Sequence, residues 1–263
     1  VNGVKTDKSY WDYTWRTIPL PKLGKSYAKD INWYVIWKFY KYFHQIFSNM
    51  KTEGKNILEI GCARSVWLPF FSKEFGFNIY GIDYSEIGCQ QAMQILSKES
   101  VMGEIVCADL FSPPRSMLET FDVVVSFGVL EHFKDTEVCI AAFSKFLKPG
   151  GLLITNIPNM LGLNGLLQKI INRAIYNIHV PININTLRRA HQINGLRIIS
   201  CNYFLFTNLG ALNIENLKGS LFYKVARLRS WINKVVWTIE RGIPALKPNR
   251  WSSPYINCVA IKK

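Results

Sequence analysis

Five short apolar runs, spaced by stretches of helical length, constrain this chain more than anything else in it. Between Lys55 and about Thr155 the segments "NILEIG", "FNIYGID", "EIVCAD", "FDVVVSF" and "GLLITNIP" read as strands, several of them nearly continuous in Ile, Leu, Val or Phe. An alternating pattern would mark strands with one wet face; unbroken runs mark strands buried on both faces, as in a parallel sheet covered by helices. The intervals carry helix punctuation. "SVWLPFFSKEFG" closes on Gly76, "SEIGCQQAMQILSKES" opens on Ser85 as a capping residue, and "DTEVCIAAFSKFLKPGG" is expected to stop at Pro149 and Gly150. Strand and helix in alternation give an α/β fold with a doubly wound, mostly parallel sheet.

Flanking this core are an aromatic, lysine-rich leader, with "INWYVIWKFYKYFHQIF" expected as a helix, and a long C-terminal part ending in "WSSPYINCVAIKK", expected as a last strand. With 49% hydrophobic residues the chain has ample material for a core. The six cysteines, Cys62, Cys89, Cys107, Cys139, Cys201 and Cys258, form no CxxC pair, so they are expected to be reduced, buried and intracellular, with neither a zinc site nor a disulfide framework. The leader shows no apolar stretch of signal-peptide length, and the charge-poor stretches 149–168 and 198–214 are interrupted by Asn, Gly or Pro. A cytoplasmic protein is the expectation.

Charge is unevenly placed. Of 32 Lys+Arg and 18 Asp+Glu, residues 151–263 hold 15 and 2, the acids being Glu215 and Glu240. Within that half Leu221, Val225, Leu228, Ile232, Val235 and Ile239 recur at helical spacing, with Lys224, Arg227, Arg229 and Lys234 around them: a basic amphipathic helix. Two readings stand open. Either the apolar stripe closes over the sheet and the cations attract an anionic substrate, or the helix makes a peripheral contact with an anionic membrane.

In a parallel sheet, ligands sit beyond the strand carboxyl ends, where strand order reverses. The residues there are Glu59 to Ala63, Asp83, Asp109 and Ser126 to His132. Gly61 permits close backbone approach to a ligand. Asp83 ends the second run at about the interval, roughly 20 residues, at which such a unit presents a carboxylate to two ribose hydroxyls. The later glycines of the GxGxxG fingerprint are missing, which argues against a dinucleotide and its pyrophosphate.

In this order and spacing, "ILEIGCARS", "IYGIDYS", "VCADLF", "FDVVVSFGVLEHF" and "LKPGGLLIT" resemble the successive motifs of the class I S-adenosylmethionine-dependent methyltransferases, particularly the branch with ubiquinone-biosynthesis and other small-molecule enzymes. The resemblance implies a Rossmann-like fold and a single domain over 1–263. Residues 1–54 would form a helical lid, 55–157 the cofactor-binding core, and 158–263 a substrate-side insert, the basic helix and closing strands. It implies that S-adenosylmethionine lies on Gly61 and Ala63, with Glu59 ordering the turn, Asp83 on the ribose, Tyr84 packed on the adenine, Asp109 and Leu110 at its edge, and the Ser126 region facing the ammonium. "YWDYTW" resembles the aromatic helix that covers the cofactor in many relatives. Ala63 and Ser65 replace the family's second and third glycines.

Methyl transfer to a hydroxyl needs positioning and a base. Of the four histidines, His132 in "LEHF" and His179 in the insert are the candidates; His44 is expected in the core and His191 in solvent. Arg173, Arg188 and Arg189 are candidates for an anionic group of the acceptor. No [DN]PP[FYW] tetrapeptide and no Pro-Cys nucleophile follows the fourth run, which leaves nucleic acid the lesser expectation. The expected function is O-methylation of a sugar, glycan, lipid or other small hydroxylated, anionic compound; the alternatives are a methyltransferase of RNA or other nucleic acid and a non-catalytic binding protein at a membrane surface.

Overall fold

The structure, a computed structural model, describes residues 3–21, 31–243 and 246–263. All five runs are strands: β1 (Asn56–Ile60), β2 (Asn78–Asp83), β3 (Gly103–Cys107), β4 (Phe121–Phe127) and β5 (Leu147–Pro158). With β6 (Leu196–Phe204) and β7 (Tyr255–Lys262) they form one sheet in the order β3-β2-β1-β4-β5-β7-β6. Every neighbouring pair from β3 to β5 is parallel; β7 runs antiparallel between β5 and β6. Strand order reverses between β1 and β4, so a crevice opens at their carboxyl ends.

Two helical layers explain the unbroken apolar runs. On one face Leu58, Ile60, Val124 and Leu153 pack with Ile140 and Phe143 of α5 (Thr136–Ser144) and with Leu187 and Ala190 of α8 (Ile184–Ile193). On the other, Ile57, Ile79, Val123 and Val125 pack with Phe43 and Phe47 of α2 (Tyr34–Phe47), Leu68 and Phe71 of α3 (Trp67–Phe75), and Ala92 and Leu96 of α4 (Glu86–Lys98). Gly76 caps α3 at φ +70°, and the Ser85 side chain accepts from Gly88 N–H to cap α4, as the sequence implied.

The leader divides. Its first helix, α1 (Lys8–Thr17), lies over the crevice, whereas α2 belongs to the core layer. Residues 22–30 of the expected lid fall outside the described residues. The stop expected at Pro149 and Gly150 comes earlier: α5 ends at Ser144, and β5 already pairs Leu147 with Phe121 and runs through the proline after a register shift. A proline at such an irregularity removes no ladder bond. Five cysteines are buried, but Cys107, at the end of an edge strand, is exposed; all six are free.

Beyond β5 come α6 (Leu163–Ile171), α7 (Arg173–Asn177) and, between β6 and β7, α9 (Gly219–Gly242). Of the two readings of α9, closure of the predicted stripe over the sheet is not what forms. Its inner residues Phe222, Val225, Ala226 and Ile232 pack on Leu209, Leu212 and Ile214, a separate small core that Leu167 and Ile171 of α6 also join. Only Val225 and Ile232 of the predicted stripe take part; Leu221, Leu228, Val235 and Ile239 face out. The true inward face is rotated from the predicted one because Asn233 and Trp237, outside the predicted stripe, are buried, Asn233 accepting from Leu209 N–H and Trp237 donating to the Thr207 carbonyl. Among the described residues no helix is long and apolar enough to cross a membrane.

Candidate active site

The turn after β1 is built for close approach. Gly61 takes φ +74°, and a Cβ there would stand 2.3 Å from Val129 Cγ2, so neither the conformation nor the space admits a side chain. Gly61 N–H donates to the Ile82 carbonyl (2.8 Å), tying the turn to β2. Glu59, buried at the end of β1, accepts from Ser65 Oγ at 2.5 Å, and Ser65 Oγ in turn accepts from Trp67 and Leu68 N–H at the start of α3. Burial pushes the Glu59 carboxyl up to about 8, with the Ser65 bond opposing. Thus Glu59 orders the turn through Ser65, and serine at the third glycine position is the capping partner rather than a mere small substitute.

Ala63, at the second glycine position, is accommodated by a residue that sequence reasoning missed. Gly88 in α4 faces it, and a Cβ on Gly88 would lie 2.6 Å from the Ala63 Cβ. The methyl that the turn gained is the one that the helix lacks. The Ala63 N–H donates to Asp83 Oδ2 (3.1 Å) and the Ser85 N–H to Oδ1 (2.8 Å). Burial raises the Asp83 carboxyl to about 6, against those two bonds that lower it, so at neutral pH it is mainly ionised.

Glu59, Gly61, Ala63, Asp83, Tyr84, Asp109 and Leu110 all line one cavity of about 330 Å³ at the β1/β4 switch point, as does His132. Its volume is that of a small-molecule site. Trp11 and Trp15 of α1 close it, held by Asp12 accepting from Ser85 Oγ (2.6 Å), by the Lys8–Glu86 ion pair (2.6 Å) and by Gln91 donating to the Trp15 carbonyl (2.8 Å). The Tyr84 hydroxyl donates to the Thr6 carbonyl (3.4 Å). Asp109 is exposed and accepts from Phe111 N–H (2.9 Å). Ser126 stands behind the wall, its buried Oγ without a partner among the described residues, and Phe127, Gly128 and Val129 form the lining there. Arg64, with φ +58°, adds a guanidinium over the Trp15 ring.

The two candidate histidines meet. Their ring centroids are 4.8 Å apart; His132 lines the cavity edge-on to Trp11 (5.1 Å), and His179 stands behind it. The leader fixes this loop from outside, Lys5 N–H donating to the His132 carbonyl and Lys134 N–H to that of Gly3. Each imidazole uses Nδ1 on a backbone carbonyl, His132 on Ile178 (3.0 Å) and His179 on Ile175 (2.6 Å), which leaves both Nε2 lone pairs free. Burial holds both rings neutral, lowering His132 to about 4 with the second ring adding to the effect. Glu131 completes a triad whose ligating atoms lie within 4.8 Å of one another; its carboxyl is pushed up to about 8 by burial, and its Oε2 has no partner among the described residues. Such a donor set could also hold a divalent cation.

The other two histidines exchange their expected places. His191 is fully buried, between the Leu187 carbonyl (2.8 Å) and Thr155 Oγ1 (3.3 Å), because α8 lies on the sheet with this face inward. His44 is on the outer side of α2, paired with Glu74 at 2.8 Å. Arg188 and Arg189 are engaged away from the cavity, on the Cys201 carbonyl and Glu137.

The family described as "Methyltransferase domain" matches residues 36–201. The chain belongs to the class I S-adenosylmethionine-dependent methyltransferase domain family. It is 26% identical over 150 residues to a ubiquinone biosynthesis O-methyltransferase of Rhodopseudomonas palustris, covering 55% of each chain, so it spans about half the length of that relative. In fold it is similar to the magnesium protoporphyrin IX methyltransferase of Synechocystis with bound SAH (TM-score 0.60, 14% identity, 97% of both chains). A second neighbour is phosphoethanolamine N-methyltransferase 2 of Haemonchus contortus in complex with S-adenosyl-L-methionine (TM-score 0.57, 18% identity, 86% of this chain and 52% of that one).

Proposed function

We propose that this protein binds S-adenosylmethionine in the β1/β4 cavity and transfers its methyl group to a hydroxyl of a small, anionic acceptor such as a sugar. The observation that carries this reading is the convergence of the Gly61 turn, the Asp83 carboxylate and the two indoles on one cavity. In it the Gly61–Ala63 backbone lies against the methionine part, Asp83 accepts from the ribose hydroxyls, and Tyr84, Asp109 and Leu110 hold the adenine. Phe127 and Gly128, beside Ser126, supply the backbone facing the ammonium. Trp11 and Trp15 exclude water.

A hydroxyl acceptor that takes up a methyl group must give its proton to a group of the chain. His132 is the better placed base, since it lines the cavity while His179 backs it. The neutral ring is the competent form. The cofactor would bring the activated methyl; the chain's own part is to align the hydroxyl in line with it and to take its proton.

Calorimetry is expected to show micromolar binding of S-adenosylmethionine, on the order of −8 kcal/mol. Asp83→Ala removes an ionised acceptor for two hydroxyls and is expected to weaken it about 100-fold, roughly 3 kcal/mol. Unchanged affinity rejects the ribose assignment. Labelled cofactor with fractionated cell extract then identifies the acceptor, and label confined to RNA or protein rejects a small molecule. With the acceptor in hand, His132→Gln is expected to lower kcat by about 10²–10⁴-fold with cofactor affinity intact. A rate lost to chelator and restored by a divalent cation would assign the Glu131–His132–His179 triad to a metal instead.

A further inference from the structure

We infer that the outer face of α9 is a docking surface for anionic lipid. The helix has a complete inner face. Phe222, Val225, Ala226 and Ile232 fill the small core, Arg229 donates to the Leu212 carbonyl (2.6 Å), and Trp237 stacks on Tyr34 (5.2 Å between centroids). Packing therefore accounts for one side of the helix and leaves a second apolar stripe that nothing covers among the described residues. Leu221, Leu228, Trp231, Val235 and Ile239 are 52%, 55%, 62%, 38% and 42% exposed. Seven-residue steps link Leu221, Leu228 and Val235, with Trp231 and Ile239 on the same side, so they form one line along the helix. Scattered exposed leucines are ordinary; a continuous line with a tryptophan in it marks an interaction surface.

Charge decides the occupant. Lys224, Arg227 and Lys234 adjoin the stripe, and among the described residues none of them meets a carboxylate. The one acid of α9, Glu240, is already held by Lys38 at 2.6 Å. A second copy of the helix laid on the stripe would bring these cations against their own counterparts with no acid to separate them. An anionic lipid surface does the reverse: the headgroups neutralise the cations while the apolar side chains enter the acyl boundary. The helix also lies at the useful end of the fold. Its connection leaves β6 at Phe204 and re-enters at Tyr255, which pairs with Pro158 at the carboxyl end of β5, the end at which the crevice opens.

The test is sedimentation of the full chain with vesicles of phosphatidylcholine alone or mixed with phosphatidylglycerol. Wild type is expected to pellet with the anionic vesicles at low salt and to stay soluble with neutral ones. At about 1 M salt, where the Debye length is about 3 Å, the binding should be lost. K224Q/R227Q/K234Q is expected to lower the partition coefficient by roughly 100-fold, from about 1 kcal/mol per cation, and L228S/W231S to abolish binding at any salt. Both variants should keep the wild-type melting temperature and S-adenosylmethionine affinity, which separates this inference from the cofactor reading. A wild type that stays in the supernatant with anionic vesicles overturns it, as does full binding by both variants. Sedimentation velocity showing a lipid-free dimer that L228S/W231S breaks overturns it too, since the stripe would then join two copies.

Discussion

The exchange of a methyl group between Ala63 and Gly88 makes a quantitative prediction about why this chain tolerates alanine in its cofactor turn. Gly88→Ala alone sets two Cβ atoms 2.6 Å apart and leaves Trp15 Cδ1 at 3.2 Å. Overpacking of that kind costs about 1–3 kcal/mol, and alanine in a helix returns about 1 kcal/mol of it. Ala63→Gly alone frees a turn residue and opens a methyl-sized gap, together about 1–2 kcal/mol. In A63G/G88A the methyl is moved, the gap is refilled and α4 gains a better helix former, so stability should return to within about 1 kcal/mol of wild type. The singles and the double then differ by a coupling of about 2 kcal/mol, well outside the error of additivity for independent sites, about 0.3–0.5 kcal/mol. For a chain of this size that is about 4–8 °C in melting temperature. Four proteins, wild type, two singles and the double, unfolded in urea and by heat, complete the cycle. Strict additivity would refute the compensation, and a double variant less stable than both singles would show that Trp15, not Ala63, is what keeps residue 88 a glycine.

Gly61→Ala is expected to destabilise by about 2–5 kcal/mol, from a left-handed residue at about 1–2 kcal/mol and an overpacked contact with Val129. G61A/V129A should recover the contact part only, and equal melting temperatures for the two would show that no such contact exists. Glu59 and Glu131 have folded pKa values of about 8, above the ordinary 4.5, so the native state binds more protons than the unfolded one. Their contribution is therefore fully present below about pH 4.5 and is lost as pH rises to about 8, at up to about 1.4 kcal/mol per pH unit for each group. Glu59→Gln, which keeps an acceptor for Ser65, should flatten the curve of urea-unfolding free energy against pH by one group's slope; curves that superimpose would place Glu59 ionised in the folded protein.

What could be read in the sequence followed burial. Four of the five core strands, β1, β2, β4 and β5, are covered on both faces and are apolar runs with little periodicity to misjudge, while β3 is a partly exposed edge; the order of all five placed Glu59, Gly61, Asp83, Asp109 and His132 around a single crevice. Local chemistry was legible too, in the Ser85 cap and the left-handed Gly76, because both depend on neighbours within a few residues. What failed needed a distant partner. Gly88 looks like an ordinary weak helix residue until Ala63 is found beside it. His191 reads as polar and solvated until Thr155 supplies a hydrogen bond inside the core, and His44 on an aromatic face is drawn outward by Glu74. Pro149 reads as a helix stop, yet the strand it lies in had already begun at Leu147.

The phase of α9 shows the same limit and why it bears on function. Apolar residues at helical spacing mark an apolar side, but the spacing is the same whether that side is buried or waits for a partner. On α9 the two are adjacent, and the sequence pattern merged them into one stripe. Polar Asn233 is inside because the Leu209 N–H needs an acceptor, and this turns Leu228 and Trp231 outward. The rotation converts the basic half of the chain from a solvated cover into a surface with an apolar line and, among the described residues, cations that meet no carboxylate. If that surface meets lipid, the crevice at the same end of the sheet is brought close to acceptors that carry a lipid tail. Transfer to an amphiphilic acceptor in anionic vesicles should then be faster than to the same headgroup free in solution. L228S/W231S should remove that advantage while leaving the rate on the soluble headgroup unchanged. An advantage that survives in the variant would mean that the tail is read in the crevice itself.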